Sequence, residues 1–136
     1  LALVLGDWQL GEQLIDKPLL VTNRKGGERH VVVSPDGKPA QTRVRLSRTY
    51  REFSLVQCSP LTGRTHQIRV HLQSVGFPIA GDERYGDADA NRRLKALGLP
   101  RLFLHAQSIS FPDEHGNEQH FTAPLSDDLN RFLAKL

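Results

Sequence analysis

Residues Gly63 to His71 read G-R-T-H-Q-I-R-V-H and bring two arginines, two histidines and a glutamine into one short stretch. A turn sequence precedes this stretch and a helical pattern follows it, so it spans the predicted start of a helix. The first turn of a helix has unpaired backbone N–H groups and a partial positive charge, which suit a bound anion. If Arg64 lies in the turn, Arg64 and Arg69 converge at this junction. A solvated basic face on a surface helix would explain the same residues without any site.

Metal binding and nucleophilic catalysis are two other chemistries that these residue types allow. His66 and His71 are five residues apart, whereas a helical zinc pair has i, i+4 spacing. A third ligand could be His105, which is distant in the sequence. Cys58 could pair with a histidine, but it lies in an apolar strand pattern that is typical of a buried, inert thiol. The sequence therefore predicts no metal site.

A helix over residues 65–74 has to position the arginines. Ile68, Leu72 and Val75 recur at i, i+4 and i+7, which is the spacing of one buried helix face. Thr65 is a suitable N-cap, and Gly76 followed by Pro78 is a stop signal. A second helix is predicted over residues 87–97. A last helix is capped by Ser126, with Asp127 and Asp128 in its first turn and Leu129, Phe132 and Leu133 on its buried face.

The remaining pattern predicts strands. β-branched or alternating runs predict strands at residues 1–5, 28–34, 42–46, 53–58, 105–111 and 119–122, with turns at residues 34–37 and 113–117. The segments 28–34, 42–46 and 53–58 form a predicted antiparallel meander with an arginine-bearing face, whereas residues 11–16 are predicted to be irregular. The expected fold class is α+β, with a mainly antiparallel mixed sheet and flanking helices, in a single domain over residues 1–136.

Composition and charge limit the function classes. The 136 residues are 38% hydrophobic and 24% charged, as in a globular domain, and no apolar run approaches the roughly 20 residues of a membrane helix. The formal net charge is +3, but residues 24–69 are strongly basic and residues 110–128 are acidic. Arginine supplies most of the cations, which favours recognition of phosphate or bases. An anionic partner such as a nucleic acid is therefore expected, although a solvated basic face remains an alternative.

Longer motifs resemble a known family. The run S-P-L-T-G-R-T-H-Q-I-R-V-H-L at residues 59–72 resembles a signature of the RluA-type pseudouridine synthases. The segments G-F-P-I-A-G-D-E-R-Y-G at 76–86, R-L-F-L-H-A at 101–106 and F-T-A-P-L at 121–125 are similar to that family as well, in the same order. The opening L-A-L-V and the run V-V-V-S-P-D-G-K-P-A-Q-T-R look closest to the RluC branch, which modifies large-subunit ribosomal RNA.

This resemblance implies a fold, an activity and a missing part. It implies a pseudouridine synthase catalytic fold that isomerises uridine in RNA without a cofactor, in a cytoplasmic protein that works as a monomer. The family's catalytic aspartate lies in an H-R-L-D-type motif, which this sequence does not contain. The sequence also contains no methionine, so we expect it to be the larger, C-terminal part of a catalytic domain. A non-catalytic RNA-binding module with the same fold is the alternative interpretation, and the chain alone is expected to be inactive.

The resemblance also implies roles for individual residues. Arg69 corresponds to the motif's basic residue, which pairs with the catalytic aspartate; a plain surface charge is its alternative role. Leu104 resembles the apolar wall of the uracil pocket, although a core leucine would look the same. Asp82, Tyr85 and Gly86 are expected to be structural. The residues expected to shape the cleft or hold RNA are Arg64, His66, Gln67, Arg43 and Arg45, with Arg48 beside the last two; a structural role is an equal alternative for His66 and Gln67.

Overall fold

The computed structural model describes residues 1–23 and 29–136. Arg24, Lys25 and Glu28, which belong to the basic half and to the start of a predicted strand, lie outside these ranges. Within them the chain forms strands and three helices in the following order: β1 (Ala2–Leu5), β2 (Gln13–Asp16), β3 (Leu19–Asn23), β4 (Arg29–Val33), β5 (Gln41–Thr49), β6 (Phe53–Pro60), α1 (Gln67–Ser74), α2 (Ala88–Ala96), β7 (Ser108–Pro112), β8 (Glu118–Thr122) and α3 (Asp127–Leu133).

A four-stranded sheet in the order β1-β6-β5-β2 forms the centre of the molecule. Successive side chains alternate between its faces, so neighbouring strand residues enter different cores. On one face, Val44 and Val56 pack with Leu72 of α1. On the other face, Leu3 packs with Leu94 of α2 and with Leu129 and Phe132 of α3. This confirms the α+β class, and every strand pair in the described part of the chain is antiparallel.

Two predictions about strands were wrong. Residues 11–16 are not irregular, because Gln13–Asp16 form β2 and pair with β5. Ile15 is the one buried residue of β2, so the strand has no alternating apolar pattern for sequence reasoning to detect. The predicted three-strand meander is also incorrect: β5 and β6 are neighbours, but β4 pairs with β3 in a separate two-stranded sheet.

The turn at residues 34–37 connects β4 to β5 and packs against the start of β3. The N–H of Gly37 donates to the carbonyl of Ser34 at 3.0 Å, as expected for a turn. A side chain on Gly37 would place its Cβ 2.4 Å from the backbone of Leu19, so glycine is needed for close approach to β3. The turn therefore packs closely against β3 as the chain passes from β4 to β5.

Helix α1 ends where predicted but begins two residues later. Gly76 has φ of 89°, and the N–H groups of Gly76 and Phe77 donate to the carbonyls of Gln73 and Leu72, which closes a Schellman motif. Leu72 is fully buried, and Ile68 and Val75 pack partly buried against the same core. The N-cap is His66 rather than Thr65.

The second half of the chain follows the prediction closely. Asp87 caps α2 by accepting the N–H of Ala90 at 3.0 Å, and Leu129 and Phe132 of α3 are buried. The predicted strand at residues 105–111 begins later, at Ser108, and pairs with β8 across the expected turn. None of the helices in the described ranges has the length and apolar character needed to cross a bilayer.

Candidate active-site cleft

The predicted site residues meet at the point where β6 ends and α1 begins. A cavity of about 350 Å³ lies there, and five of the seven predicted site residues contribute to its wall. The lining residues are Pro60, Thr62, Gly63, Arg64, His66, Gln67, Ile68, Arg69 and Leu104. A larger cavity of about 420 Å³ shares Gly63 and Arg64 with this cavity. Of the predicted site residues, however, Arg64 alone lines the larger cavity. We therefore take the smaller cavity as the candidate cleft.

Arg69 forms a bidentate ion pair at the edge of this cleft. Its Nε donates to Oδ2 of Asp82 at 3.0 Å and its Nη2 donates to Oδ1 at 2.8 Å. The Asp82 side chain is 1% exposed and that of Arg69 is 20% exposed. Burial by itself raises the pKa of Asp82, but the hydrogen bonds from Arg69 and from backbone N–H groups outweigh it and leave the pKa lowered. Hydrogen bonding to Asp82 in turn raises the pKa of Arg69, so both groups are charged at neutral pH.

A rigid turn holds Asp82 in place. Its Oδ1 also accepts the N–H groups of Arg84 and Tyr85, each at 3.0 Å. Its backbone carbonyl accepts the N–H of Gly86 and the side-chain amide of Asn91. A Cβ at Gly86 would lie 2.3 Å from that carbonyl oxygen, so the turn requires glycine there. Asp82, Tyr85 and Gly86 were expected to be structural. In the structure, this turn has the specific role of orienting Arg69.

The guanidinium of Arg69 retains hydrogen-bonding capacity after pairing with Asp82. Its Cζ lies 5.0 Å from the centre of the Tyr85 ring, a cation–π contact that fixes the plane of the group. A guanidinium has five N–H donors, and Nη1 has no partner among the described residues. Because Arg69 also lines the cleft, it is oriented to receive a further acceptor such as a carboxylate or a phosphate.

The side chain of Gln67 is buried and forms hydrogen bonds to groups within the protein. It is 4% exposed, and its Nε2 donates to the carbonyl of Gln41 and to Oγ1 of Thr42. Its Oε1 accepts the hydroxyl of Thr62 at 2.7 Å and the N–H of Arg64 at 3.0 Å. Four hydrogen bonds fill the capacity of a side-chain amide. Gln67 therefore fixes the wall of the cleft and the position of Arg64.

Arg64 contributes a polar part of the cleft lining, and Leu104 contributes an apolar part. The Nε of Arg64 donates to the carbonyl of Pro39 at 2.9 Å, so its guanidinium is tied to the loop before β5. Leu104 is partly buried, packs against the core that contains Leu72, and also lines the cleft. Both of the expected roles of Leu104, core residue and pocket wall, are thus compatible with its position.

The histidine and cysteine side chains considered for a metal site or a nucleophilic thiol do not have the environments that these functions require. His71 is fully buried, and its ring nitrogens bond to Oγ1 of Thr42 at 2.8 Å and to the carbonyl of Lys17 at 2.9 Å. Burial raises the pKa of the Cys58 thiol to about 11, although the nearby amino group at Leu1 opposes this. Cys58 is therefore not a thiolate at neutral pH. Residues 1–23 and 29–136 contain no group of three His, Cys, Asp or Glu side chains that could hold a metal ion.

Arg43 and Arg45 lie outside the cleft. They point away from the core on either side of buried Val44 in β5, as the alternating pattern predicts. Arg45 donates through Nε and Nη2 to Oε1 of Gln57 at 3.0 and 2.7 Å, and Arg43 lies 3.8 Å from Glu12. Both are exposed, so they form a basic outer face of the sheet.

His66 and Tyr85 connect the cleft to the β3–β4 hairpin. Nδ1 of His66 lies 2.8 Å from the Tyr85 hydroxyl, which also accepts the backbone N–H of Val31 at 3.0 Å. Tyr85 is 8% exposed and contacts the rings of both His30 and His66. Sequence reasoning missed this central position of Tyr85 and the pairing of Asp82 with Arg69. The motif at residues 76–86 singled out the segment, but no spacing rule links it to α1.

The sequence of this chain is similar to those of known proteins. The sequence model of the family described as RNA pseudouridylate synthase matches residues 10–74. A protein of Haemophilus ducreyi called ribosomal large subunit pseudouridine synthase C is 52% identical over 137 residues, which cover the whole of this chain and 43% of the relative. The protein of the same name from Escherichia coli is 48% identical and is covered to 44%. The chain thus spans less than half the length of these curated relatives.

Solved structures show the same fold. Human RNA pseudouridylate synthase domain containing 1 superposes with a TM-score of 0.76 over 90% of this chain and 52% of that chain, at 26% sequence identity. Human RNA pseudouridylate synthase domain containing 4 superposes with a TM-score of 0.74 over 98% of this chain and 59% of that one, at 24% identity. The bacterial relatives match this chain over its whole length, and this confirms the resemblance seen in the motifs. The chain belongs to the RluA family of RNA pseudouridine synthases, and its sequence is of the RluC type.

Proposed function

We propose that the natural protein containing this chain isomerises uridine to pseudouridine in large-subunit ribosomal RNA. The observation that carries this proposal is the oriented, partly buried Arg69 at a cleft formed by the motif residues. The names of the bacterial relatives support the substrate class. We also propose that the protein is cytoplasmic and acts as a monomer.

The reaction is an isomerisation, so it needs no net oxidant or reductant, and the family resemblance implies no cofactor. The bond between N1 of uracil and C1′ of ribose breaks, the base turns, and a bond between C5 and C1′ forms. C5 then loses its proton, and N1 gains one. An aspartate in an H-R-L-D segment outside this chain acts as nucleophile or base, and it must be ionised to do so.

Arg69 is the proposed partner of that aspartate. Asp82 uses two N–H groups of the guanidinium, and Nη1 remains to donate to a second carboxylate. A fixed guanidinium lowers the pKa of a carboxylate beside it and sets its orientation, even where burial would raise that pKa. Because Arg69 is held by Asp82 and Tyr85 beforehand, little reorganisation is needed when the aspartate is present.

The other residues of the site are proposed to contact either the uracil base or the RNA backbone. Leu104 and Ile68 provide an apolar wall for a uracil that has been turned out of the RNA stack, and Gln67 shapes that wall from behind. Arg64, which lines the cleft, is the proposed contact to a backbone phosphate. Arg43 and Arg45, on the outer face of β5, hold flanking RNA.

An assay of tritium release from C5-labelled uridine in large-subunit ribosomal RNA fragments tests the proposal. We expect the full-length natural protein to release tritium, and the 136-residue chain alone to bind the RNA without release. If the full-length protein binds RNA but releases no tritium, the protein is an RNA-binding module instead. Release by the isolated chain would mean that an aspartate within it does the chemistry, and the assignment of Arg69 would be wrong.

A further inference from the structure

His66 has a backbone conformation that its residue type rarely adopts. Its φ of 51° and ψ of 24° lie in the left-handed region, and the other residues with positive φ in the described ranges are glycines. Glycine or asparagine would adopt this conformation with less strain. Such strain persists where the surrounding structure imposes it, and it is frequent at functional sites.

Tyr85 fixes the orientation of the His66 imidazole. The tyrosine oxygen accepts the N–H of Val31 and lies 2.8 Å from Nδ1 of His66, and we assign the tyrosine proton to the bond with Nδ1. With Nδ1 acting as acceptor, a neutral imidazole carries its proton on Nε2. The edge of the His66 ring also packs on the Tyr85 ring, with 5.5 Å between centroids. His66 therefore presents a fixed N–H donor through Nε2.

Charged and titratable groups surround His66, and on balance they and burial favour the neutral ring. They are Arg69 on α1, Asp82 and Arg84 in the turn before α2, and His30 on β4. Burial lowers the pKa of His66 most, Arg69 and Arg84 lower it further, and Asp82 opposes them. The imidazole is therefore neutral at physiological pH, and its tautomer decides what it can recognise.

The cleft wall beside His66 suits a planar base. Pro60, Ile68 and Leu104 supply apolar surface, and the polar groups His66 and Arg69 stand at its edge. Nε2 of His66 has no hydrogen-bond partner among the described residues. A base stacked on the apolar wall would therefore meet N–H donors and no acceptor from these two side chains.

Building on the proposed function, we infer that His66 selects uracil by donating its Nε2–H to the O4 carbonyl oxygen of the target base, with Tyr85 as its positioning residue. Cytosine carries an amino group at that ring position, so two donors would face each other and neither would be satisfied. A site built from fixed donors discriminates strongly against a base that lacks the matching acceptor. The left-handed backbone of His66 is the conformation that places the ring between Tyr85 and the cleft.

Sulfur substitution at the target uridine tests this assignment, because a thiocarbonyl accepts hydrogen bonds more weakly than a carbonyl. The measured quantity is kcat/KM of the full-length natural protein on RNA that carries uridine, 4-thiouridine or 2-thiouridine at the target position. For the wild-type protein we expect 4-thiouridine to lower kcat/KM by about tenfold, the effect of one good hydrogen bond. In His66→Asn, which tolerates the left-handed backbone, that penalty should shrink to about twofold or less.

Two further variants separate recognition from stability. Tyr85→Phe removes the hydroxyl and keeps the ring contacts, so it should also reduce the 4-thiouridine penalty, which simple destabilisation would not change. It serves as the second probe if His66→Asn folds poorly. His115→Asn, at an exposed position on the β7–β8 turn, should keep the full penalty.

The outcomes distinguish this inference from the proposed function. Normal turnover of uridine with the same 4-thiouridine penalty in wild type, His66→Asn and Tyr85→Phe overturns the role of His66 alone. A penalty that depends on His66 only for 2-thiouridine overturns it as well, since the donor would then face O2. If the full-length protein does not isomerise unmodified uridine at all, the proposed function and this inference both fail.

Discussion

The guanidinium of Arg69 is oriented by protein groups before any RNA is present. Asp82 binds it through two hydrogen bonds, and the Tyr85 ring lies against its face. Asp82 is in turn fixed by backbone N–H groups of its own turn. A long, flexible side chain at the edge of a cleft is thereby restricted to one orientation, which is the condition for a precise contact with a second carboxylate.

Two histidines, His71, which is fully buried, and His66, which is partly buried, make the stability of the fold depend on pH. Burial lowers the pKa of His71, although its bond to the Lys17 carbonyl opposes this, and burial with Arg69 lowers the pKa of His66. In the unfolded chain both have ordinary values near 6.5, so below that pH the unfolded state binds more protons. We expect the free energy of unfolding to be fully present above pH 6.5 and to fall as the pH drops toward the lowered values.

Urea denaturation at a series of pH values between about 8 and 5 measures this effect. His71→Gln should destabilise the protein at every pH and make the pH dependence shallower, because one of the two titrating groups is gone. His115→Gln, at an exposed position, should leave the pH dependence unchanged. A pH dependence in His71→Gln as steep as in the wild type would show that His71 does not contribute.

At the scale of elements, the cleft lies at the start of α1, and the turn at residues 81–86 holds Arg69 of that helix through Asp82. The stop signal of α1 and its apolar stripe were predictable, since Gly76 and Leu72 act through local geometry and burial. The start was not, because Thr65 satisfies the usual N-cap preference, while Gln67 accepts hydrogen bonds from Thr62 and Arg64 that fix the chain differently. Strand β2 escaped prediction for a similar reason: pairing with β5 stabilises it with one buried residue.

The turn at residues 81–86 gives a prediction about stability. In Gly86→Ala the new Cβ would lie 2.3 Å from the carbonyl oxygen of Asp82, so the turn must shift. We expect a loss of about 1–3 kcal/mol in the free energy of unfolding, typical of an overpacked site. Gly63→Ala is the matched control, because its Cβ would meet nothing within 4 Å.

Chemical denaturation of both variants checks this prediction. If the turn holds Arg69 through Asp82, Gly86→Ala should be clearly less stable than the wild type, and Gly63→Ala should stay within about 0.5 kcal/mol of it. Equal stability of Gly86→Ala and the wild type would mean that the turn adjusts freely and does not fix Asp82.

At the scale of the whole molecule, the charge distribution and the antiparallel fold were readable from the sequence. Alternation around Val44 predicted that Arg43 and Arg45 lie on one outer face, and both do. The motif around residues 63–71 likewise predicted that Arg64, His66 and Arg69 share a cleft. The pairing of Arg69 with Asp82 was not predictable, because it joins two elements whose relative position depends on the packing of the complete fold.

The outer face of β5 gives a prediction about RNA affinity. If Arg43 and Arg45 hold RNA phosphates, the double variant Arg43→Ala/Arg45→Ala should bind large-subunit RNA fragments more weakly than the wild type. The slope of log affinity against log salt should decrease by roughly 0.7 for each phosphate of single-stranded RNA that the variant no longer neutralises. Arg92→Ala, which removes an exposed cation paired with Asp89 on α2, serves as control and should not change the slope. An unchanged slope in the double variant would place the RNA elsewhere.

Replacing Arg69 in the full-length natural protein tests the proposed catalytic role most directly. Arg69→Lys is the preferred variant, because it keeps a positive charge opposite buried Asp82 but removes the bidentate fork, whereas Arg69→Ala would leave that carboxylate unpaired at a cost of several kcal/mol. With folding verified, tritium release by Arg69→Lys should fall by about a hundredfold or more while RNA affinity changes little. Arg69→Ala should abolish release, and Arg101→Ala, which breaks a surface pair with Asp128, should release tritium like the wild type. Near-normal turnover by folded Arg69→Lys and Arg69→Ala would contradict the assignment and transfer the role to Arg64.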